Sequence, residues 1–465
     1  MSAPILEPKA KVPQRPEVLA GVERALVIGF ARTGQAVARV LKGLSVPVVV
    51  VEDHPSPEAR EAARRLGVEL AIAPGPLELA RHLADADLVV ASPGVPPSHP
   101  ALAAAPAARL CSEIELAAQL SAVPLVAITG TNGKTTVTGL VAEMLRRSGT
   151  RALAAGNIGR PLVEAVLEDQ VDLVVAEVSS FQLAFTRRFR PVVATWLNFA
   201  EDHLDWHDSL ASYAAAKARI FAAQRGEDVA VANAEDEVVL AAARASRAAL
   251  VTFGLGHGDY TCHEGTLVAK GLGEIVAIRE LPRALPHDLA NALAACATAI
   301  SVGASPEACR AALVEAAPLP HRVAKVGSLD GVDYYDDSKA TTPSAVAAAL
   351  AGFRDVVLIA GGRNKGLDLS ALRAGAEPGG HHLVRAVVAI GEAAPEVAAA
   401  FTPGYEVVRA SSMGEAVELA RKLAHGAEAV LLSPGCASFD WYRSYEERGQ
   451  DFAAHVRRLA LEGGG

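Results

Sequence analysis

The sequence predicts an α/β protein of three domains, and three observations carry that reading. Short runs of Val, Ile, Leu and Ala alternate along the chain with alanine-rich amphipathic stretches, the texture of strands feeding helices. Two glycine-bearing junctions, GFARTG and TGTNGKTT, each stand between an apolar run and a helical pattern. The length of 465 residues fits three units at about 150 residues per domain.

The first domain opens at Ala25, where ALVIGF reads as a strand, ARTGQAVARVLKGL as a helix and VPVVVVED as a second strand. DADLVVASPG adds a strand that ends in a Ser-Pro-Gly turn. The second domain opens with the buried strand PLVAITG, followed by TNGKTT and a helix to about Arg147. VDLVVAEV and PVVATWLNF supply further strands. Between 228 and 285 the runs shorten and glycines multiply, as in VTFGLGHGDY and KGLGEIVAI, which predicts a small β insertion or an extension of the central sheet. LANALAACATAISVGA reads as a helix returning to that core. After PLPHRVAKV a third α/β unit begins, with strands near VDYYDDS, DVVLIAGG, RAVVAIG and AVLLSPG. The reading is a Rossmann-like N-terminal domain over 22–122, a P-loop-type central ATPase domain over 123–320 and a Rossmann-like α/β C-terminal domain over 321–465. Residues 1–21, with four prolines in the first twenty positions, read as a loose extension and not as a signal peptide.

Composition narrows the function. A net charge of −9 disfavours binding to a phosphate backbone, which calls for a basic face. The five cysteines are scattered without a C-x-x-C pair and read as reduced, mostly buried thiols of a cytosolic protein. No uncharged apolar run approaches the roughly 18 residues of a membrane span.

The strongest local signal is Thr129-Gly130-Thr131-Asn132-Gly133-Lys134-Thr135-Thr136, between a strand and a helix. Glycines there let backbone N–H groups converge on phosphate oxygens at a helix N-terminus. Lys134 would reach the β- and γ-phosphates, and the Thr135 hydroxyl would sit on Mg²⁺. The strict pattern wants a glycine where this chain has Ile128, so the loop is a variant. Gly29-Phe30-Ala31-Arg32-Thr33-Gly34 is weaker, because a dinucleotide site needs a glycine where Ala31 stands. Helix-on-strand packing accounts for its glycines as well as a ligand does. Glu177 ends an apolar strand expected beside the phosphate loop, where a carboxylate can hold Mg²⁺. LNFAEDHLDWH places Asp202, His203 and Asp205 at the end of the next strand. Lys217 lies in a helical stretch and by local spacing reads as a solvated lysine.

In order along the chain, GFARTG, ASPG, TGTNGKTT, GNIG, EVSSFQL, LNFAEDHLDWH, YAAAKARIF, PHR, DDSKATTP, GGRNKG and LLSPGCASFDWYRSYEERG make this sequence resemble the Mur ligases over nearly its whole length. DDSKATTP and SPGCASFD are most similar to the branch that adds D-glutamate to UDP-N-acetylmuramoyl-L-alanine. The resemblance implies an ATP-dependent, cytoplasmic, monomeric ligase of peptidoglycan precursor synthesis, without nucleic-acid binding or membrane insertion. It implies that Arg32, Thr33, Glu52, Asp53, Ser92, Gly94 and Asn157 line the UDP-substrate site. It implies that Gly130, Thr131, Asn132, Gly133, Lys134, Thr135, Thr136, Asn291, Arg322, Asp337 and Lys339 contact ATP. Thr341, Lys365, Ser438 and Tyr445 would hold D-glutamate. Catalysis would rest on Lys134, Glu177, His203 and a carbamylated Lys217, with two Mg²⁺ ions on Thr135, Glu177, His203 and Lys217. The family usually shows His-Asn where this chain has His287-Asp288, and an anion there sits poorly beside ATP unless metal or a base offsets it. Three other readings stay open: another amide ligase of the superfamily, such as a folylpolyglutamate synthetase; a nucleotide-binding regulator that has lost catalysis; and, weakest, an NAD-dependent dehydrogenase.

Overall fold

A computed structural model describes residues 19–377, 381 and 383–462. Of the stretch expected to be a loose extension, residues 1–18 lie outside the described residues, and Leu19 is buried. Among the described residues three sheets organise the chain, as the alternation of the sequence predicts.

The first sheet comprises β1 (Ala25–Ile28), β2 (Val48–Glu52), β3 (Glu69–Ile72), β4 (Leu88–Ala91) and β5 (Leu110–Ser112). All pairs are parallel, in the order β3-β2-β1-β4-β5. The order reverses between β1 and β4, and in an open parallel sheet ligands bind outside the carboxyl ends at such a switch point. The second sheet comprises β6 (Leu125–Thr129), β7 (Ala152–Gly156), β8 (Leu173–Glu177), β9 (Val193–Trp196), β10 (Val229–Asn233), β11 (Ala249–Phe253), β12 (Tyr260–His263), β13 (Thr266–Ala269) and β14 (Gly273–Ala277). Its order is β14-β13-β12-β11-β10-β9-β6-β8-β7. The glycine-rich region is therefore an extension of the sheet, ending in an antiparallel β12-β13-β14 meander. β6 lies between β9 and β8, buried at every residue, as expected of an apolar strand covered on both faces.

These two sheets belong to one compact unit and share a continuous core. Polar ties reinforce it: Val163 N–H donates to Glu113 Oε1 at 2.7 Å, and the Arg187 and Arg188 N–H groups donate to the buried Glu115 carboxylate.

The second unit combines residues 315–465 with the segments Ala200–Leu210 and Leu281–Leu289. Its sheet comprises β15 (Ala324–Leu329), β16 (Val332–Asp336), β17 (Val356–Gly361), β18 (Val384–Ile390), β19 (Glu406–Arg409) and β20 (Ala429–Leu432), ordered β15-β16-β20-β17-β18-β19. Only β15 runs antiparallel. Apolar clusters cover both faces.

Candidate active site

The phosphate loop leaves β6 and enters the helix Lys134–Arg147 at Gly133, whose φ of +83° is a left-handed conformation that favours glycine. A Cβ at Gly133 would also collide with Asn291 Oδ1, so the structure brings Asn291 against the loop. The cap position carries no side-chain hydrogen bond, and Thr135 and Thr136 lie in the first turn of the helix, where backbone N–H groups without intrahelical acceptors favour an anion. Thr131 is buried, and its N–H donates to Asn198 O at 3.1 Å. Asn198 fixes the next peptide on both sides: Asn132 N–H donates to its Oδ1 at 2.9 Å, and its Nδ2 donates to Asn132 O at 3.2 Å. In the sequence Asn198 stands only as part of the LNFAEDHLDWH motif. Its partner lies 66 residues away, beyond any local pattern.

Lys134 Nζ donates to the carbonyls of Gly130 (2.8 Å) and Thr131 (2.9 Å). Lys217, expected from local spacing to be solvated, is instead 1% exposed, and its Nζ donates to the same Gly130 carbonyl at 2.8 Å. It also lies 4.9 Å from the Tyr213 ring centroid. The physical reason is its helix Leu210–Ala222, which buries Tyr213, Ala216, Lys217, Ile220 and Phe221 on one face.

Glu177 ends β8 in register with Ile128 of β6, at the root of the loop. It is 2% exposed; Oε1 accepts from Asn157 Nδ2 at 3.0 Å, and Oε2 is buried with no hydrogen-bond partner. An orphaned buried carboxylate oxygen beside a phosphate loop fits a hard cation such as Mg²⁺. Among the described residues no three acidic, histidine or cysteine side chains gather into a metal cage. Asn157 N–H donates to Glu177 O at 2.9 Å, which ties the GNIG loop to the end of β8.

At the switch point of the first sheet, buried Ser92 donates from Oγ to Gly29 O at 2.9 Å. A Cβ at Gly34 would collide with that same carbonyl, so Gly34 serves close packing of the helix Arg32–Gly43 on β1. Arg32 and Thr33 begin this helix. Glu52 accepts from the Phe30 N–H at 2.7 Å and from the His54 N–H at 3.3 Å. Asp53 pairs with His99, which sequence reasoning missed: Nδ1 accepts from Ala101 N–H at 3.1 Å, so Nε2 carries the proton toward Asp53 Oδ2, also at 3.1 Å. Gly94 is exposed in the turn after β4.

In the second unit the predicted residues follow three neighbouring strand ends. β16 leads into Asp337, Lys339 and Thr341, β20 into Ser438, and β17 into the exposed Lys365. Asp337 accepts from Ser433 Oγ at 2.7 Å and from Val323 N–H at 3.3 Å, and burial pushes its pKa up to about 7. Lys339 Nζ bonds Tyr445 OH at 3.1 Å and lies 4.8 Å from its ring centroid. Thr342, next to the predicted Thr341, caps the helix Pro343–Leu350 by accepting from Ala345 N–H. His203 has a left-handed φ of +58° and Nε2 3.3 Å from Asp202 Oδ2. Arg322 lies between His321 and Val323, and Asp336 holds His321 Nδ1 at 2.6 Å. Asp288, the departure from the family pattern, is offset by a base: Arg283 forks onto it at 2.6 and 2.7 Å.

Arg448, also missed, is 1% exposed. It donates to Ser338 Oγ (2.8 Å), Ser338 O (2.8 Å) and Cys436 O (3.1 Å), joining the DDSKATTP and SPGCASFD loops. Burial pushes its pKa down to about 10. Its signal was in the sequence, since it shares the buried helix face with Phe452, Val456 and Leu459.

A lysine-bearing phosphate loop at a helix N-terminus, with a buried carboxylate on the adjoining strand, defines a P-loop-type nucleotide site. Family models match residues 23–111 (Mur ligase MurD-like, N-terminal domain), 128–299 (Mur ligase middle domain) and 321–436 (Mur ligase, glutamate ligase domain). The chain belongs to the Mur ligase family and is an ATP-dependent ligase of three α/β domains. It is 43% identical to the UDP-N-acetylmuramoylalanine--D-glutamate ligase of Frankia casuarinae over 93% of both chains. It is 39% identical to the enzyme of that name from Desulfatibacillum aliphaticivorans, over 94% of this chain and 98% of the relative. The solved structure of MurF from Acinetobacter baumannii shares the fold at a TM-score of 0.59 and 18% identity, over 94% of this chain and 92% of that one. Among the described residues no helix is long and apolar enough to cross a membrane.

Proposed function

We propose that this chain joins D-glutamate to UDP-N-acetylmuramoyl-L-alanine with conversion of ATP to ADP and phosphate, as a cytoplasmic monomer in peptidoglycan precursor synthesis. The observation that supports it most is its full-length likeness to relatives of that name, in a chain that gathers Lys134, Lys217 and Glu177 around the end of β6.

A carboxylate becomes open to an amine only when one oxygen is made a leaving group. The γ-phosphoryl of ATP passes to the alanine carboxylate: the bond to the β,γ-bridging oxygen breaks, a bond to a carboxylate oxygen forms, and ADP leaves. The neutral amine of D-glutamate then adds to the acyl carbon. The tetrahedral intermediate expels phosphate, and the amine proton passes to solvent or a nearby base such as His203. In the first step anionic phosphates meet an anionic acceptor, so cations set the rate. Lys134 and the N–H groups of the helix Lys134–Arg147 bind the phosphates, and Arg322 with Asn291 and Lys339 completes the ATP contacts. Two Mg²⁺, held by Thr135, Glu177, His203 and Lys217, would neutralise the phosphate charge. Asp337 completes the nucleotide site, and Arg32, Thr33, Glu52, Asp53, Ser92, Gly94 and Asn157 hold the UDP substrate. Thr341, Lys365, Ser438 and Tyr445 orient D-glutamate.

Carbamylation of Lys217 is part of this reading. Lys134 and Lys217 donate to one carbonyl at 2.8 Å each, so their ammonium groups lie within about 6 Å of one another. Like charges at that separation repel by about 3 kcal/mol at an effective dielectric constant near 20. A carbamate on Lys217 turns that repulsion into attraction and supplies an anionic metal ligand.

The test is phosphate release with ATP, Mg²⁺ and UDP-N-acetylmuramoyl-L-alanine, comparing D-glutamate with L-glutamate, L-lysine and meso-diaminopimelate. Release that requires D-glutamate is the expected result. Release with another amino acid overturns the branch, and no release from folded, ATP-binding protein overturns the activity.

A further inference from the structure

Arg283 uses its whole guanidinium within the second unit. Nε and Nη2 fork onto Asp288 Oδ2 and Oδ1 at 2.6 and 2.7 Å, and Nη1 donates to the carbonyls of Arg322 (2.5 Å) and Val323 (3.0 Å). The backbone it grips is strained: the residues on either side of Arg322, His321 and Val323, have φ of +60° and +48°. For a β-branched residue such as Val323 a positive φ is a true outlier, and such strain persists only where the surroundings over-determine it. Three other bonds contribute. Val323 N–H donates to Asp337 Oδ1 at 3.3 Å, Lys339 N–H donates to His321 O at 3.2 Å, and His321 Nδ1 meets Asp336 Oδ2 at 2.6 Å. Each of these acts on a residue beside Arg322. Only Arg283 among them takes hold of the Arg322 carbonyl itself.

We infer that Arg283, oriented by Asp288, is a positioning residue that holds the Arg322 turn in the conformation needed for ATP. The inference rests on the reading of Arg322 as an ATP contact. It gives Asp288 a role in place of the one its family counterpart asparagine leaves open. A carboxylate, unlike an amide, accepts both prongs of a guanidinium with charge assistance, which fixes the plane of Arg283 and aims Nη1 at the two carbonyls. His287 stands 3.5 Å from Asp288, and burial pushes its pKa down, so the partner of Asp288 is Arg283.

The experiment is steady-state kinetics of the full-length ligase on its three substrates, with melting midpoints, for R283Q, R283K, D288N, R283Q/D288N and R322A. R322A raises the KM for ATP. R283Q raises it about tenfold, as loss of a charge-assisted contact predicts, and leaves the other two KM values within twofold. R283K, which keeps the charge but not the fork, recovers only part of the loss. D288N shows a smaller rise, and the double variant behaves as R283Q alone because the two side chains act through one contact. A normal ATP KM in R283Q, alongside a raised one in R322A, overturns the inference alone. An equal rise in all three KM values with a lowered melting midpoint reduces Arg283 to a structural brace and also overturns it. A normal ATP KM in R322A overturns the ATP reading of Arg322, and the inference with it.

Discussion

Replacing Glu177 by glutamine separates what this side chain does for stability from what it does for the metal. In the folded chain Oε1 accepts from Asn157 Nδ2, whereas Oε2 is buried without a partner on a residue only 2% exposed. A buried, unsatisfied polar group costs about 1–3 kcal/mol, and more when charged. Glutamine keeps an oxygen for Asn157 and leaves a neutral amide NH₂ where the anionic oxygen stood. The metal-free variant is therefore more stable than the parent by about 1 kcal/mol, a rise in melting midpoint of roughly 2–4 °C for a unit of this size. The parent gains about 2.7 kcal/mol when ligand is present at 100 times its dissociation constant, so Mg²⁺ with ADP should raise its midpoint by several degrees. Glu177→Gln should lose most of that gain, and turnover should fall at least about a hundredfold. Thermal melts with EDTA, with Mg²⁺ and with Mg²⁺ plus ADP read all three terms. A variant less stable than the parent without metal, yet equally stabilised by Mg²⁺, would refute the assignment of the unpartnered oxygen to a cation.

Asn198→Ala removes two hydrogen bonds to the backbone of Asn132, and the KM for ATP should rise about tenfold for a melting shift of only a few degrees. Glu113, fully buried, has its pKa pushed up to about 7 by burial. Its contribution to stability is complete below the ordinary glutamate pKa near 4.5 and is lost as pH rises through 7, so the parent's stability relative to Glu113→Gln should fall by up to about 3 kcal/mol across that window in urea titrations. Lys365→Met should raise the KM for D-glutamate about tenfold and leave that for ATP unchanged, read by phosphate release. Lys217 should give a carbamate signal in ¹³C spectra with labelled bicarbonate, and activity should fall on removal of CO₂ and return with bicarbonate.

What was legible in the sequence follows from what acts locally. β1, β2, β6, β8, β17 and β20 are runs of Val, Ile, Leu and Ala buried on both faces of parallel sheets, and such runs announce themselves. β7 is mostly alanine, with one leucine and a terminal glycine, β5 has three residues, and β15 mixes polar and apolar positions, so none carries a strand signal. The phosphate loop was legible because its chemistry is contiguous. Local spacing alone makes Lys217 look solvated, and only the resemblance places it at the site, although the apolar face formed by Tyr213, Ala216, Ile220 and Phe221 runs through it. Asn198, His99 and Arg283 were silent because each is defined by a partner brought near by the fold.

Asn198, Arg448 and Arg283 share a task. Gly133, His203, His321 and Val323 all have positive φ, and each stands in or beside a segment assigned to phosphate, metal or nucleotide. Apolar packing cannot hold such turns, because it is indifferent to backbone direction, whereas a hydrogen bond to a carbonyl or N–H is not. Asn198 fixes the phosphate loop from a neighbouring strand end, Arg448 ties two loops from a helix, and Arg283 grips the Arg322 turn from a loop. A polar group taken out of water in this way costs stability unless all its bonds are made. Arg448 shows the balance at its sharpest: burial pushes its pKa down to about 10, yet its guanidinium still finds three acceptors across two loops. Substituting Asn198 or Arg283 should therefore disturb ligand affinity before it disturbs the fold, since the sheets beneath are held by extensive apolar cores of their own.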